Sequence, residues 1–154
     1  MKRNFRIALV EDDADQRKLT TEMIGRHLSD LSLVEIVSEE HFRSALGRGE
    51  LADCDVIIMD VMLPWTSLDA FVPMPRDYDG YYEAGLRCIR ELRLSDRGRS
   101  IPIIIYTLLE SQDISEHLKK MDLVVCVNKS QPEQLLRQLR GLALAQNGDQ
   151  SAPH

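Results

Sequence analysis

Short apolar segments that alternate with helical segments are the feature that most constrains the fold of this chain. The apolar segments are four to seven residues long, which suits buried strands, and the intervening stretches repeat apolar residues every three or four positions. Strands alternating with helices form a parallel sheet with helices on both faces. The predicted strands are 7–10, 31–37, 56–59, 101–106 and 123–127, and the predicted helical stripes are 14–28, 42–46, 82–92, 114–121 and 135–143.

The pattern predicts one α/β domain over 1–146, a doubly wound, five-stranded parallel sheet. The third strand, 56–59, has no polar interruption, so we expect it to be central and covered on both faces. Ser130-Gln-Pro-Glu133 has the form of a capping box and predicts the start of the last helix. Residues 147–154 are polar and are predicted to be a disordered tail.

Composition excludes several classes of function. A net charge of −6 argues against non-specific nucleic-acid binding, which needs a basic surface. No apolar run is long enough to cross a membrane and the N-terminus does not resemble a secretory signal, so we expect a cytoplasmic protein. The three cysteines have no Cys-x-x-Cys spacing and are predicted to be reduced thiols in or near the core.

Polar residues follow four of the predicted strands. Asp12 and Asp13 follow the first strand, Asp60 the third, Thr107 ends the fourth and Lys129 follows the fifth. The carboxyl ends of parallel strands meet at one edge of the sheet, where ligands of such folds bind. The sequence therefore predicts that these five side chains form one site.

Crowded carboxylates tolerate ionisation only beside cations, and a hard divalent metal such as Mg²⁺ prefers their oxygens. An aspartate in such a place can act as a nucleophile towards phosphorus, while Lys129 and Thr107 neutralise the phosphoryl oxygens. Each residue also has an ordinary interpretation: a helix cap for Asp12 or Asp13, a turn for Asp60, a strand former for Thr107 and a surface charge for Lys129. All of these would have to coincide at one sheet edge.

Four segments together resemble the response-regulator receiver domains of two-component signalling. They are Ile7-Ala-Leu-Val-Glu-Asp-Asp13, Asp55-Val-Ile-Ile-Met-Asp-Val-Met-Leu-Pro64, Ile101-Pro-Ile-Ile-Ile-Tyr-Thr107 and Val127-Asn-Lys129. The resemblance implies a flavodoxin-like fold with strand order 2-1-3-4-5. It implies that Asp60 is the phosphoacceptor, that Asp12, Asp13, Asp60 and the backbone carbonyl of Met62 bind Mg²⁺, and that Thr107 and Lys129 contact the phosphoryl group.

The same resemblance implies the partners. The phosphoryl donor would be a phosphohistidine on a sensor histidine kinase or a histidine phosphotransfer protein. Output would pass to a downstream protein target, without direct DNA binding or membrane contact, through the face of helix four, strand five and helix five. This face is also a possible homodimer surface. Such a domain is a phosphoacceptor and not a conventional enzyme, although it can promote its own phosphorylation and dephosphorylation.

The chain departs from the family pattern at several places. Asp79-Gly80 follows Pro64 after fourteen residues where the family usually has two, so about twelve residues are inserted at about 65–78, with Trp65, Phe71 and Tyr78 among them. This composition predicts an ordered loop, which covers the pocket, presents a partner surface or packs on its own domain. Cys126 replaces the usual switch aromatic, Ser130 the usual proline and Leu108 a small residue.

These departures leave a second hypothesis open: an interaction module with this fold that signals without phosphorylation. An aspartate-nucleophile phosphatase of the haloacid-dehalogenase type needs a second acid two residues after the nucleophile, where this chain has Met62. A nucleotide-binding enzyme would need a glycine-rich loop after the first strand, and none is present.

Overall fold

A computed structural model describes residues 2–67, 69–70 and 72–149. The strands and helices alternate along the chain, with a short 3-10 turn at Gly98–Ser100. Their bounds are β1 Phe5–Val10, α1 Ala14–His27, β2 Leu31–Ile36, α2 Glu39–Gly47, β3 Val56–Met59, α3 Ala84–Leu94, β4 Ile103–Thr107, α4 Ser111–Leu118, β5 Val124–Asn128 and α5 Pro132–Asp149.

The five strands form one sheet in the order β2-β1-β3-β4-β5, and every neighbouring pair is parallel. This confirms the predicted doubly wound fold and its strand order. All four residues of β3 are buried, as its uninterrupted apolar sequence predicted. The chain order reverses between β1 and β3, so the crevice at their carboxyl ends is the place where this architecture binds ligands.

Side chains of the strands alternate between two hydrophobic clusters, one on each face of the sheet. Ala8 and Val10 point into the cluster that packs against α2, α3 and α4, whereas Ile7 and Leu9 point into the one formed with α1 and α5. Because both faces are covered, the sheet needs apolar residues at nearly every strand position, which explains the continuous apolar runs in the sequence.

Several boundaries differ from the predictions. Helix α3 begins at Ala84, and Tyr82, placed in that helix by the sequence pattern, is 66% exposed in the preceding loop. Strand β5 begins at Val124, since Leu123 has a φ of 58° and lies outside the strand.

The start and the end of α5 also differ from the predictions. The helix begins at Pro132 and not at the expected Ser130 cap, and the Ser130 N–H donates to the side chain of Asn128 instead. It continues through 147–149, where the sequence predicted a disordered tail, and Gln146 near its end donates to Asp55 at 2.8 Å. The rest of the predicted tail lies outside the described residues.

All three cysteines are free thiols, buried at Cys54 and Cys88 and half-buried at Cys126, as predicted. Among the residues described, no helix combines the length and the apolar composition that a membrane crossing requires.

Candidate phosphoacceptor and metal site

Three consecutive acids at the end of β1 have three different environments. Asp13 is the N-cap of α1: its backbone is extended and its Oδ1 accepts the Gln16 N–H at 2.8 Å. Glu11, which the sequence interpretation passed over, is only 4% exposed and belongs with Asp12 and Asp60 to a group of carboxylates whose ligand oxygens lie within 4.8 Å of one another. The structure thus pairs Glu11, not Asp13, with Asp12 in the acidic cluster.

A signal for this assignment is present in the sequence. Asp13 is followed three positions later by Gln16, and an Asp-x-x-Gln pattern before an apolar helix is typical of an N-cap. The cap occupies the carboxylate of Asp13 with the helix backbone. The two acids before it are therefore the ones available to the crevice.

Asp60 directly follows β3 and lies in the middle of the cluster. Its N–H donates to the Val10 carbonyl of β1 at 3.0 Å, which fixes the residue beside the end of that strand. The residue is 7% exposed, and its Oδ2 accepts from Lys129 Nζ at 2.8 Å. Lys129 also donates to Glu11, so one ammonium joins the acids of two neighbouring strand ends.

The cluster carries more negative than positive charge. Burial, and then the charge of Asp60, raise the pKa of Glu11 to about 7, although the hydrogen bond from Lys129 opposes the shift. Burial and Asp60 raise the pKa of Asp12 too. Burial works against the charged form of Lys129, but its bonds to Asp60 and Glu11 outweigh burial and raise the pKa of Lys129. One ammonium does not neutralise three carboxylates, and a further cation is required for all of them to ionise.

The donor set suits a hard divalent cation. Three carboxylates supply oxygen ligands, and Mg²⁺ typically binds through one or two carboxylates while it keeps water at its other positions. Met62, whose backbone carbonyl was the fourth predicted ligand, lies two residues beyond Asp60, and its N–H donates to Asp60 Oδ1 at 3.4 Å. This bond holds the 60–62 turn against the acceptor carboxylate.

Thr107 and Lys129 are tied to each other through the backbone. The Lys129 N–H donates to the Thr107 carbonyl at 2.9 Å, which places both at the carboxyl edge of the sheet. The Thr107 side chain is fully buried, and its Oγ1 accepts from the Leu109 N–H at 3.3 Å. The next residue, Leu108, is 65% exposed and projects from this edge.

Gly85 is a further residue that the sequence interpretation missed. A Cβ on Gly85 would lie 2.1 Å from the carbonyl oxygen of Asp60, and its N–H donates to the Val61 carbonyl at 2.8 Å. The first turn of α3 therefore touches the backbone of Asp60, and only glycine allows this approach. Gly80, which the sequence interpretation aligned with the family glycine, lies in the preceding loop, where its φ is 86° and no atom stands within 4 Å of the Cβ position.

The loop between β3 and α3, which includes the predicted insertion, is held against α2 and α3. The N–H groups of Glu39 and Glu40 in the first turn of α2 donate to the carbonyls of Pro64 and Trp65 at 2.9 and 2.8 Å. The Glu39 carboxylate, 1% exposed, accepts from Arg87 at 2.7 Å and from Arg43 at 3.0 Å.

Arg87 links this buried carboxylate to the loop itself. It also donates to the Gly80 carbonyl, and its guanidinium lies 5.2 Å from the centre of the Tyr78 ring. Tyr78 in turn contacts Trp65 edge-on, with ring centroids 5.8 Å apart. The described part of the insertion is thus an ordered loop packed on its own domain, while Phe71 lies outside the described residues.

No family model matches the sequence, and no curated protein matches it either. Solved structures of other proteins, in contrast, are similar to this chain. The chain is similar to the phosphorylated cyanobacterial phytochrome response regulator RcpA, with a TM-score of 0.64 and 20% identity over 90% of this chain and 91% of that one. It is similar to the receiver domain of the sensor histidine kinase PA1611 from Pseudomonas aeruginosa, which has magnesium in its active-site cleft, with a TM-score of 0.64 and 22% identity over 90% and 97%.

A third similar structure is the BeF3-activated N-terminal receiver domain of RstA from Klebsiella pneumoniae. It has a TM-score of 0.63 and 23% identity over 88% of this chain and 95% of that one. The chain therefore has the fold of response-regulator receiver domains over nearly its whole length. Its acidic cluster lies at the carboxyl edge of the sheet, where doubly wound folds bind ligands.

Proposed function

We propose that this protein is a response regulator of two-component signalling that accepts a phosphoryl group on Asp60. The observation that carries the proposal is the contact of Lys129 with both Asp60 and Glu11, because among the described residues no other cation forms an ion pair with a carboxylate of this cluster. A structural ion pair would need one acid for one base. A site with two more carboxylates than ammonium groups has an excess of negative charge, which suits a metal ion that in turn contacts a charged ligand.

In the proposed reaction a carboxylate oxygen of Asp60 attacks phosphorus while the bond from phosphorus to the donor imidazole nitrogen breaks. The imidazole leaves with the bond's electron pair and takes up a proton. Glu11, Asp12 and Asp60 would hold Mg²⁺, which when bound supplies positive charge for the phosphoryl oxygens. Lys129 and the Thr107 hydroxyl would contact the same oxygens once Lys129 exchanges part of its carboxylate contact for the phosphoryl group.

The donor in this proposal is a phosphohistidine of a sensor histidine kinase or phosphotransfer protein, and the output is a protein–protein contact. The protein would act as an acceptor and switch, not as an enzyme that turns over an independent substrate. Homodimer formation through α4, β5 and α5 belongs to the same proposal, because exposed Leu123 and Val125 lie on this side.

Acetyl phosphate provides the test. With Mg²⁺ present, intact mass should show one added phosphoryl group that hydroxylamine removes, and Asp60→Asn should abolish it. Asp12→Asn should lower the labelling strongly, whereas Asp13→Asn, which alters only the helix cap, should keep it. Unchanged labelling of Asp60→Asn would refute the acceptor assignment.

The alternative is an interaction module of the same fold that works without phosphorylation. Cys126 at the switch position favours it, because a half-buried thiol lacks the bulk with which an aromatic ring reports the state of Thr107. Wild-type protein that binds Mg²⁺ but takes no label from acetyl phosphate or from phosphohistidine donors would favour this alternative.

A further inference from the structure

A groove between α3 and α4 opens at the amino ends of β4 and β5, the pole opposite to Asp60. It has a volume of about 470 Å³. Its floor is apolar: Ile89 is buried, Met121 is half-buried, and Leu94 at the end of α3 is 75% exposed. Large exposed apolar side chains that line a concavity are typical of interaction surfaces, whereas single ones on a convex surface are not informative.

The rim of this groove is positively charged, although the chain as a whole carries a net charge of −6. Arg90, Arg93 and Lys120 line it, and among the described residues none of the three forms an ion pair with a carboxylate. Arg90 forms a hydrogen bond with a ring nitrogen of His117, at 3.1 Å.

Arg93 is held in place by backbone carbonyls rather than by an acid. It donates to the carbonyls of Gly98, Ile101 and Asp122 at 2.7 to 2.8 Å, and its Nε is buried without a hydrogen-bond partner. Burial lowers the pKa of Arg93. The guanidinium remains charged at neutral pH and is fixed in position, and the charge of Asp122 acts on it without forming an ion pair.

The two other charged residues of the groove, Arg99 and Asp122, leave its surplus of positive charge in place. Arg99 has an exposed partner, Asp96, at a distance of 3.8 Å, and Asp122 is the single carboxylate in the lining. The groove therefore combines an apolar floor with a surplus of positive charge. An isolated basic patch would suit any polyanion, whereas the apolar floor needs apolar side chains to cover it.

We infer that this groove binds an acidic segment of a partner protein, with leucine-like side chains on the floor and carboxylates against Arg90, Arg93 and Lys120. The surface lies at the opposite end of the sheet from Asp60. It would therefore engage its partner at the same time as the phosphoacceptor edge engages a donor.

The probe is a fluorescein-labelled peptide of repeated Glu and Leu residues, followed by fluorescence anisotropy. We expect the joint change Arg90→Ala and Lys120→Ala to weaken its binding about tenfold or more at low salt. Leu94→Ser should also weaken binding about tenfold, the effect of removing one leucine contact of roughly 1.5 kcal/mol. The matched control on α5, Arg137→Ala with Leu144→Ser, should leave binding unchanged, and all variants should keep the acetyl-phosphate labelling of the wild type.

Three outcomes would overturn the inference. The first is no binding of the peptide to the wild type, and the second is an equal loss in the α5 control. The third is tight binding of a single-stranded DNA of similar charge that does not depend on Leu94, since this would identify a general polyanion surface. All five substituted positions are exposed, so circular dichroism should show native folding in every variant.

Discussion

At the residue scale, the end of β1 shows how neighbouring acids acquire different roles from backbone geometry. Glu11 lies deepest, Asp12 faces the crevice from a more exposed position, and Asp13 caps α1. The sequence alone predicted an acidic site here. It did not identify which two acids form it, because that depends on the residue at which the strand ends and the helix begins.

Asp13→Ala should therefore affect stability, whereas Asp12→Ala should affect Mg²⁺ binding. Loss of the cap should lower the free energy of unfolding by about 1 kcal/mol and leave Mg²⁺ affinity close to wild type. Asp12→Ala should reduce Mg²⁺ affinity about tenfold or more with little loss of stability, because it removes a carboxylate from a crowded site. Urea unfolding and Mg²⁺ titration of the fluorescence of Trp65, the single tryptophan, measure the two effects.

Gly85 permits a second residue-scale prediction. Gly85→Ala forces a methyl group against the Asp60 carbonyl, so we expect a loss of about 2 to 3 kcal/mol and slower labelling by acetyl phosphate. Gly25→Ala in α1 is the matched control, since nothing lies within 4 Å of its Cβ position and alanine favours a helix by about 1 kcal/mol. The melting temperature should thus fall in Gly85→Ala and rise in Gly25→Ala. A destabilised Gly25→Ala variant would contradict this account.

At the scale of elements, the strands and their order follow from the apolar pattern, whereas the β3–α3 connection does not. Periodicity assigned Tyr82 to α3, but this residue lies in a loop that is held by long-range contacts. The decisive contact is the buried Glu39 carboxylate between Arg43 and Arg87. Arg43 lies one helical turn from Glu39, but Arg87 lies 48 positions away, and no local pattern indicates that Arg87 and Glu39 meet.

Arg87→Ala should release this loop. The change leaves the Glu39 carboxylate buried with one partner fewer, which should lower the free energy of unfolding by about 3 kcal/mol. Trypsin should then cleave faster after Arg76, an exposed residue in the insertion. Lys119→Ala, which removes an exposed pair with Glu116, is the control and should change neither stability nor cleavage. An unaltered cleavage rate in Arg87→Ala would show that other contacts hold the loop.

At the scale of the whole molecule, the apolar core and the charged edge have opposing effects on folding. Two hydrophobic clusters enclose the sheet, and their burial supplies most of the stabilisation. Folding also gathers Glu11, Asp12 and Asp60 around a single ammonium group, which destabilises the metal-free state. The unbalanced charges of this site thus lower the stability of the fold until a cation is bound.

This opposition predicts a pH dependence of stability that Mg²⁺ weakens. The pKa of Glu11 rises from an ordinary 4.5 to about 7 on folding, so the folded state holds a proton that the unfolded chain has released. The contribution of this group is present in full below 4.5 and is lost as pH rises through about 7, so metal-free stability should fall across that interval. Mg²⁺ competes with this proton and should therefore raise the melting temperature more above pH 7 than below it. Thermal unfolding with EDTA and with Mg²⁺ on both sides of this pH measures the difference.

Two variants provide the controls. Asp13→Asn should behave like the wild type, and Glu11→Gln should lose most of the pH dependence of stability, because Glu11, and not Asp13, is the buried acid beside Lys129.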